Sequence, residues 1–158
     1  MASESLFDIL WRNHPALQNP PVILPCATNG HSNFDNQCAI RFGVCLTNSG
    51  ISLASYPGVF CWHNHGRQHP IRAEELMRWL NTRDAPFVGS AEISKRDKKG
   101  HQKSAEAYKG RRGIVVCRNF WGRGNQGDHI DLWDGQNLAH GGSDYFQPSQ
   151  EIWFWQMS

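Results

Sequence analysis

The chain has 158 residues, enough for one ordinary domain and too few for a second full-sized one. Apolar residues make up 39% and charged residues 19%, with seven Trp and eight Phe, so a packed core is within reach and wholesale disorder is excluded. Sixteen basic and 14 acidic side chains leave a formal charge of +2, too balanced for a dedicated nucleic-acid binder.

Along the chain, residues 5–12 read as a short amphipathic helix, capped by Ser3 or Ser5 and stopped by His14-Pro15. Residues 15–33 are proline-rich and polar, an irregular but ordered connection. A second helix follows from Asp35 or Asn36 as N-cap. Ala39, Phe42, Cys45 and Leu46 share one stripe of it, and Asn48-Ser49-Gly50 is its exit. Residues 51–70 read as loops with an extended piece at 59–62. A third helix spans 70–80, with acids early and Ala73, Leu76 and Leu80 on one face. The basic stretch 94–103 is expected to be a solvated loop rather than a contact for anionic polymers, and 104–109 a short helical turn. Strands are predicted at 113–118, at 128–133 with period-two alternation, and at 151–155, with Asp134-Gly135 as a two-residue hairpin turn. Helices first and antiparallel strands later define an α+β fold, with no internal boundary, so residues 1–158 are read as a single domain. No run approaches the length of a membrane span, and the first residues lack the pattern of a Sec signal peptide.

Five cysteines, at 26, 38, 45, 61 and 117, form no C-x-x-C pair. An odd, dispersed set argues against a disulfide framework and for one reactive thiol among buried ones. Cys45 and Cys117 read as core, and Cys26 and Cys61 lie in loops and stay undecided. Cys38 alone sits in the first turn of a core-packed helix, where partial positive charge and free N–H groups favour a thiolate. A nucleophilic thiol needs a base. His129, opening a half-exposed strand beside a loop containing Gly122, Gly124 and Gly127, is the candidate.

The stretch Phe34-Asp35-Asn36-Gln37-Cys38-Ala39-Ile40-Arg41, followed about ninety residues later by His129-Ile130-Asp131-Leu132-Trp133-Asp134-Gly135, resembles the fourth family of type VI secretion amidase effectors. The opening Phe7-Asp8-Ile9-Leu10-Trp11 and the helix at 71–80 fit the same pattern, which runs in order from Leu6 to Trp155. The resemblance implies a papain-like, NlpC/P60-type cysteine amidase, its nucleophile helix packed on an antiparallel sheet. It implies injection into the periplasm of a target bacterium and cleavage of the amide between γ-D-glutamate and meso-diaminopimelate in peptidoglycan stem peptides. It further implies the type VI apparatus and a cognate immunity protein as partners, with no metal or organic cofactor. Residue by residue, the nucleophile falls on Cys38 and the general base on His129. The family's third residue, an Asp on the next strand, falls on His140, and the family's cysteine pair near that turn is missing here.

A two-residue turn at Asp134-Gly135 would pair Trp133 with Gln136 and set His129 directly across from His140, within reach of its ring. Asp131, Asp134 in the turn, and Asp144 are the competing partners. Two rival readings come from other classes. Cys61-Trp62-His63-Asn64-His65, with His69 nearby, suggests a zinc or HNH-nuclease site, but no second ligand cluster with recognisable spacing accompanies it. Exposed Trp62, Trp121 and Trp153 would suit a non-catalytic wall-binding module. Neither rival accounts for Cys38.

Overall fold

The computed structural model describes residues 4–28, 31–34, 37–62, 69–82, 85, 88–121 and 127–157. Helix α1 covers Leu6–Asn13 and is capped by Ser5, whose hydroxyl accepts from the Asp8 N–H at 3.2 Å. Phe7 and Leu10 turn inward, while Asp8 accepts from the Arg112 guanidinium at 2.8 Å, tying the helix to the central sheet. A 3-10 turn at Pro15–Leu17 follows, then a two-residue ladder, β1 (Ala27–Thr28) with β2 (His31–Ser32).

Helix α2, Cys38–Asn48, is the centre of the molecule: every residue from Cys38 to Leu46 is buried. Its N-cap is Gln37 rather than Asp35 or Asn36, both of which lie outside the described residues, and the Gln37 side chain does not cap the helix. It instead clasps the Cys26 main chain, accepting from the amide and donating to the carbonyl, both at 2.8 Å. The exit falls where the sequence puts it, with Gly50 at φ +81° closing the helix onto Thr47. Helix α3, Ala73–Leu80, starts three residues later than expected because Pro70 is engaged in a β-bridge with Phe60. That bridge lies tight on α2: a Cβ at Gly43 would stand 2.6 Å from the Pro70 ring.

The main sheet is antiparallel, in the order β3-β6-β4-β5, from β3 (Glu92–Lys95), β4 (Gly113–Trp121), β5 (Gly127–Trp133) and β6 (Glu151–Gln156). Strand β3 corrects the expectation of a solvated loop from residue 94. It is a short, charged edge strand whose polar residues give no alternation signal, and the loop begins after it. The unbroken apolar run of β4 reflects burial on both faces. Ile114 and Val116 join the three helices in one core with Phe42, Leu46 and Leu80, whereas Val115 and Cys117 meet Tyr108, Phe146 and Phe154 in a second. Trp153, a candidate stacking residue, lies against the first core; Trp62 is 67% exposed, with its ring edge-on to Phe34.

Candidate active site

Three elements bring the site together. Helix α2 offers Cys38 as its first residue, strand β5 presents His129 and Asp131 on one side by its two-residue repeat, and the end of α1 supplies His14. The Cys38 sulfur lies 3.7 Å from the carbonyl oxygen of Asp128, and its thiol and the His129 ring share a hydrogen bond. His129 Nε2 stands 2.9 Å from Asp131 Oδ2. Tyr145 covers the imidazole edge-on, with ring centroids 5.2 Å apart. Arg41, buried in α2 and donating to the Ile23 carbonyl at 2.7 Å, places a cation near the sulfur and the carboxylate. None of the five cysteines is in a disulfide, and all are buried, Cys38 among them at 2% exposure.

The Asp131 carboxylate is saturated. Oδ2 accepts from His129 and from the His140 main-chain N–H at 2.8 Å, and Oδ1 accepts from the Leu132 N–H at 2.8 Å and from His14 Nε2 at 3.1 Å. His14 has one tautomer open to it. Its Nδ1 accepts from the Ala16 N–H at 3.1 Å, so the proton sits on Nε2 and points at Asp131. Burial alone would raise the Asp131 pKa, but the hydrogen bonds from His129 and His14 outweigh it and hold the carboxyl below its ordinary value. For His129, burial pulls downward, and the bonds to Asp131 and Cys38 prevail, raising it to about 10. An ionised Asp131 only accepts, so Nε2 of His129 carries a proton and Nδ1 is the nitrogen left to exchange one with the thiol.

These shifts have a sign in pH. The Asp131 contribution to stability is complete above its ordinary 3.8 and fades as pH falls below it. The His129 contribution is complete below its ordinary 6.5 and fades as pH rises through about 10. The denaturation midpoint is therefore expected to be highest between about pH 4 and 6.5 and to decline toward 10, with Asp131→Asn flattening both limbs. A profile from urea unfolding at fixed salt measures this. An unaltered slope in the variant would remove the pair from the account.

Cys38 and His129 thus stand together as the sequence suggested, and His140 does not stand where it was placed. The turn is longer than two residues: the Asp134 side chain accepts from the N–H groups of Gln136 and Asn137, and the Asp134 N–H donates to the Asn137 carbonyl. Trp133 consequently pairs with Leu138, the Ala139 N–H reaches Leu132, and His140 lands beside Asp131 instead of His129. Its contribution to the cluster is a main-chain N–H, not its ring. Asp144 is exposed in a 3-10 turn. His14 was missed altogether. Read as a helix stop before Pro15, it carries no local signal that ties it to a strand at the other end of the chain. Ser3, His63, His65, Gly122 and Gly124 lie outside the described residues.

A thiol at the head of a buried helix, set against a histidine on an antiparallel sheet, is the layout of the papain-like fold of cysteine hydrolases. Solved structures of like shape agree. An effector–immunity complex from Salmonella Typhimurium, Tae4–Tai4, superposes with a TM-score of 0.69 at 17% identity, covering 99% of this chain and 100% of that one. The effector Tae4 from Enterobacter cloacae gives 0.65 at 18% identity, with 99% and 98% covered. No curated protein matches the sequence. The family model for amidase effector protein 4 of the type VI secretion system, Tae4, matches residues 34–155, and the chain belongs to that family. It is accordingly a peptidoglycan amidase effector, an enzyme of the cysteine peptidase kind, which sets aside the nuclease and the passive wall-binding module.

Proposed function

We propose that this effector hydrolyses the γ-D-glutamyl–meso-diaminopimelate amide of peptidoglycan stem peptides, with Cys38 as nucleophile, His129 as general base and acid, and Asp131 in the orienting role first given to His140. The observation that carries the reading is the continuous line of contacts from Cys38 through His129 to Asp131. In this reading the Cys38 thiolate attacks the glutamyl carbonyl, and the developing oxyanion is met by the Cys38 main-chain N–H at the positive end of α2. His129 hands its Nδ1 proton to the departing diaminopimelate amine, leaving a thioester. It then takes a proton from water, whose oxygen replaces sulfur at the carbonyl, and the sulfur departs as the thiolate that began the cycle. Asp131, fixed by four donors including His14, holds the ring and favours the imidazolium between the two steps.

The substrate lies outside the inner membrane, so the reading includes injection by the type VI apparatus into a neighbour's periplasm. No helix among the described residues is long and apolar enough to cross a membrane. Solved effectors of like fold are seen bound to Tai4 immunity proteins, which supports a cognate immunity protein that closes this site in the producing cell. Expression in the cytoplasm of a Gram-negative host is expected to be tolerated, whereas fusion to an export signal is expected to lyse cells and release cleaved stem peptides identifiable by mass spectrometry. Equal toxicity in both compartments, with intact muropeptides, would defeat the proposal.

A further inference from the structure

A second group of side chains stands apart from the Cys38–His129–Asp131 line. Cys26, Cys61 and His69 come from three separated stretches of chain, are 0%, 3% and 3% exposed, and point their donor atoms to within 4.8 Å of one another. We propose that these three residues form a zinc site that staples the loops before α2 and before α3 to the flank of α2.

Distance is the first argument. The two sulfur atoms are 3.6 Å apart. Two thiolates on one tetrahedral zinc, each at about 2.3 Å, stand about 3.8 Å from each other, so binding needs only a small adjustment. Donor chemistry is the second. Two thiolates and an imidazole are the soft and borderline ligands that zinc selects, whereas a hard cation would ask for oxygen. Preorganisation is the third. Each donor's main chain is fixed by bonds that owe nothing to a metal. The Cys26 amide and carbonyl are both held by Gln37, and the Asn33 N–H also reaches that carbonyl; the Cys61 N–H donates to the His69 carbonyl at 2.8 Å, beside the Phe60–Pro70 bridge. Ile40 and Val44 of α2, with Phe34 and Ile71, wall the cluster in apolar surface, a setting that screens the ion from water.

The placement also explains what a metal would be for. Between α2 and α3 the described residues contain no helix and no strand beyond the Phe60–Pro70 bridge, and between the 3-10 turn at Pro15–Leu17 and α2 they contain only the two-residue β1 and β2. Long connections of this kind are held by few local bonds. A metal joining positions 26, 61 and 69 would close both onto α2 and hold Gln37, next to Cys38, through the Cys26 main chain. Zinc binds thiolates, so a thiol that ligates it gives its proton to solvent and binding tightens as pH rises. Three protein donors leave the fourth tetrahedral position for a further ligand such as water.

The full chain, purified under reducing conditions without chelator, is expected to carry about one zinc per molecule by elemental analysis, and to lose it to a strong chelator with a fall in thermal midpoint. Cobalt added to the stripped protein should give thiolate-to-cobalt charge-transfer absorption. Cys26→Ser, Cys61→Ser and His69→Ala should each lower bound metal at least about tenfold. Titration of the unaltered chain with zinc against a chelating dye needs no variant to fold and stands independently. Three results would overturn the site: no zinc bound by the reduced chain, a Cys26–Cys61 disulfide in metal-free protein, or zinc retained in all three variants. Loss of metal binding with stem-peptide cleavage intact would support the site and leave the amidase reading untouched, since no catalytic step passes through it.

Discussion

Replacing Cys38 with alanine is expected to abolish stem-peptide cleavage, by about 10⁴-fold or more, in a protein that still folds. The size follows from chemistry: in the proposed mechanism the thioester cannot form without the Cys38 sulfur. Preserved folding follows from position. The Cys38 sulfur meets the Asp128 carbonyl and the His129 ring but fills little of the core, and alanine is a good first residue for a helix, so the loss in stability should stay at about 1 kcal/mol. Mass spectrometry of muropeptides incubated with the variant reads the activity, and circular dichroism reads the fold. Cleavage at the rate of the unaltered enzyme would end the cysteine-amidase mechanism.

Asp131→Asn should be nearly as severe, and for two reasons at once. Both carboxylate oxygens accept two hydrogen bonds each, so an amide nitrogen in either orientation faces two donors. One orientation repels His129 and the His140 N–H, the other His14 and the Leu132 N–H. Removing one partner from a buried ionic contact costs roughly 3–5 kcal/mol, and losing the residue that orients a catalytic histidine costs about 10⁴-fold in turnover. His14→Ala should be milder. Oδ1 keeps the Leu132 N–H, so the expected effect is about 10-fold in kcat with an altered pH–rate profile, plus about 1–2 kcal/mol from the lost bonds to Asp131 and Ala16. His140→Ala keeps its main-chain N–H and should remain close to the unaltered enzyme. Turnover and unfolding measured across the three variants test the order. Were His140→Ala the most damaged, Asp131 would lose the orienting role.

Much of the site was legible because its members leave local signals. Cys38 opens a helix whose apolar stripe shows in the letters, and His129 sits on a strand with clean alternation. The third position failed on turn chemistry. Asp134-Gly135 reads as a two-residue turn, but the Asp134 side chain binds two main-chain N–H groups further on and lengthens it, moving every pair beyond it. A slip of this kind changes which side chains meet without changing which strands exist. Strand β3 escaped for a related reason: an edge strand is made by its neighbour β6, not by its own apolar content. His14 and the Cys26–Cys61–His69 group were out of reach because what defines them is convergence in space.

The contact between His14 and Asp131 joins the first helix to a strand near the far end of the chain, and Cys38 meets the residue before His129 across 90 positions. Such long closures are slow and cooperative, because chain entropy is spent before any of these bonds is rewarded. No short fragment contains His14, Cys38, His129 and Asp131 together, and an unfolded chain does not bring them to one place. On the proposed assignment of the site, catalysis would report on completed folding: the toxic capacity would exist only in the finished molecule, and passage through an unfolded state would silence it until these distant stretches meet again.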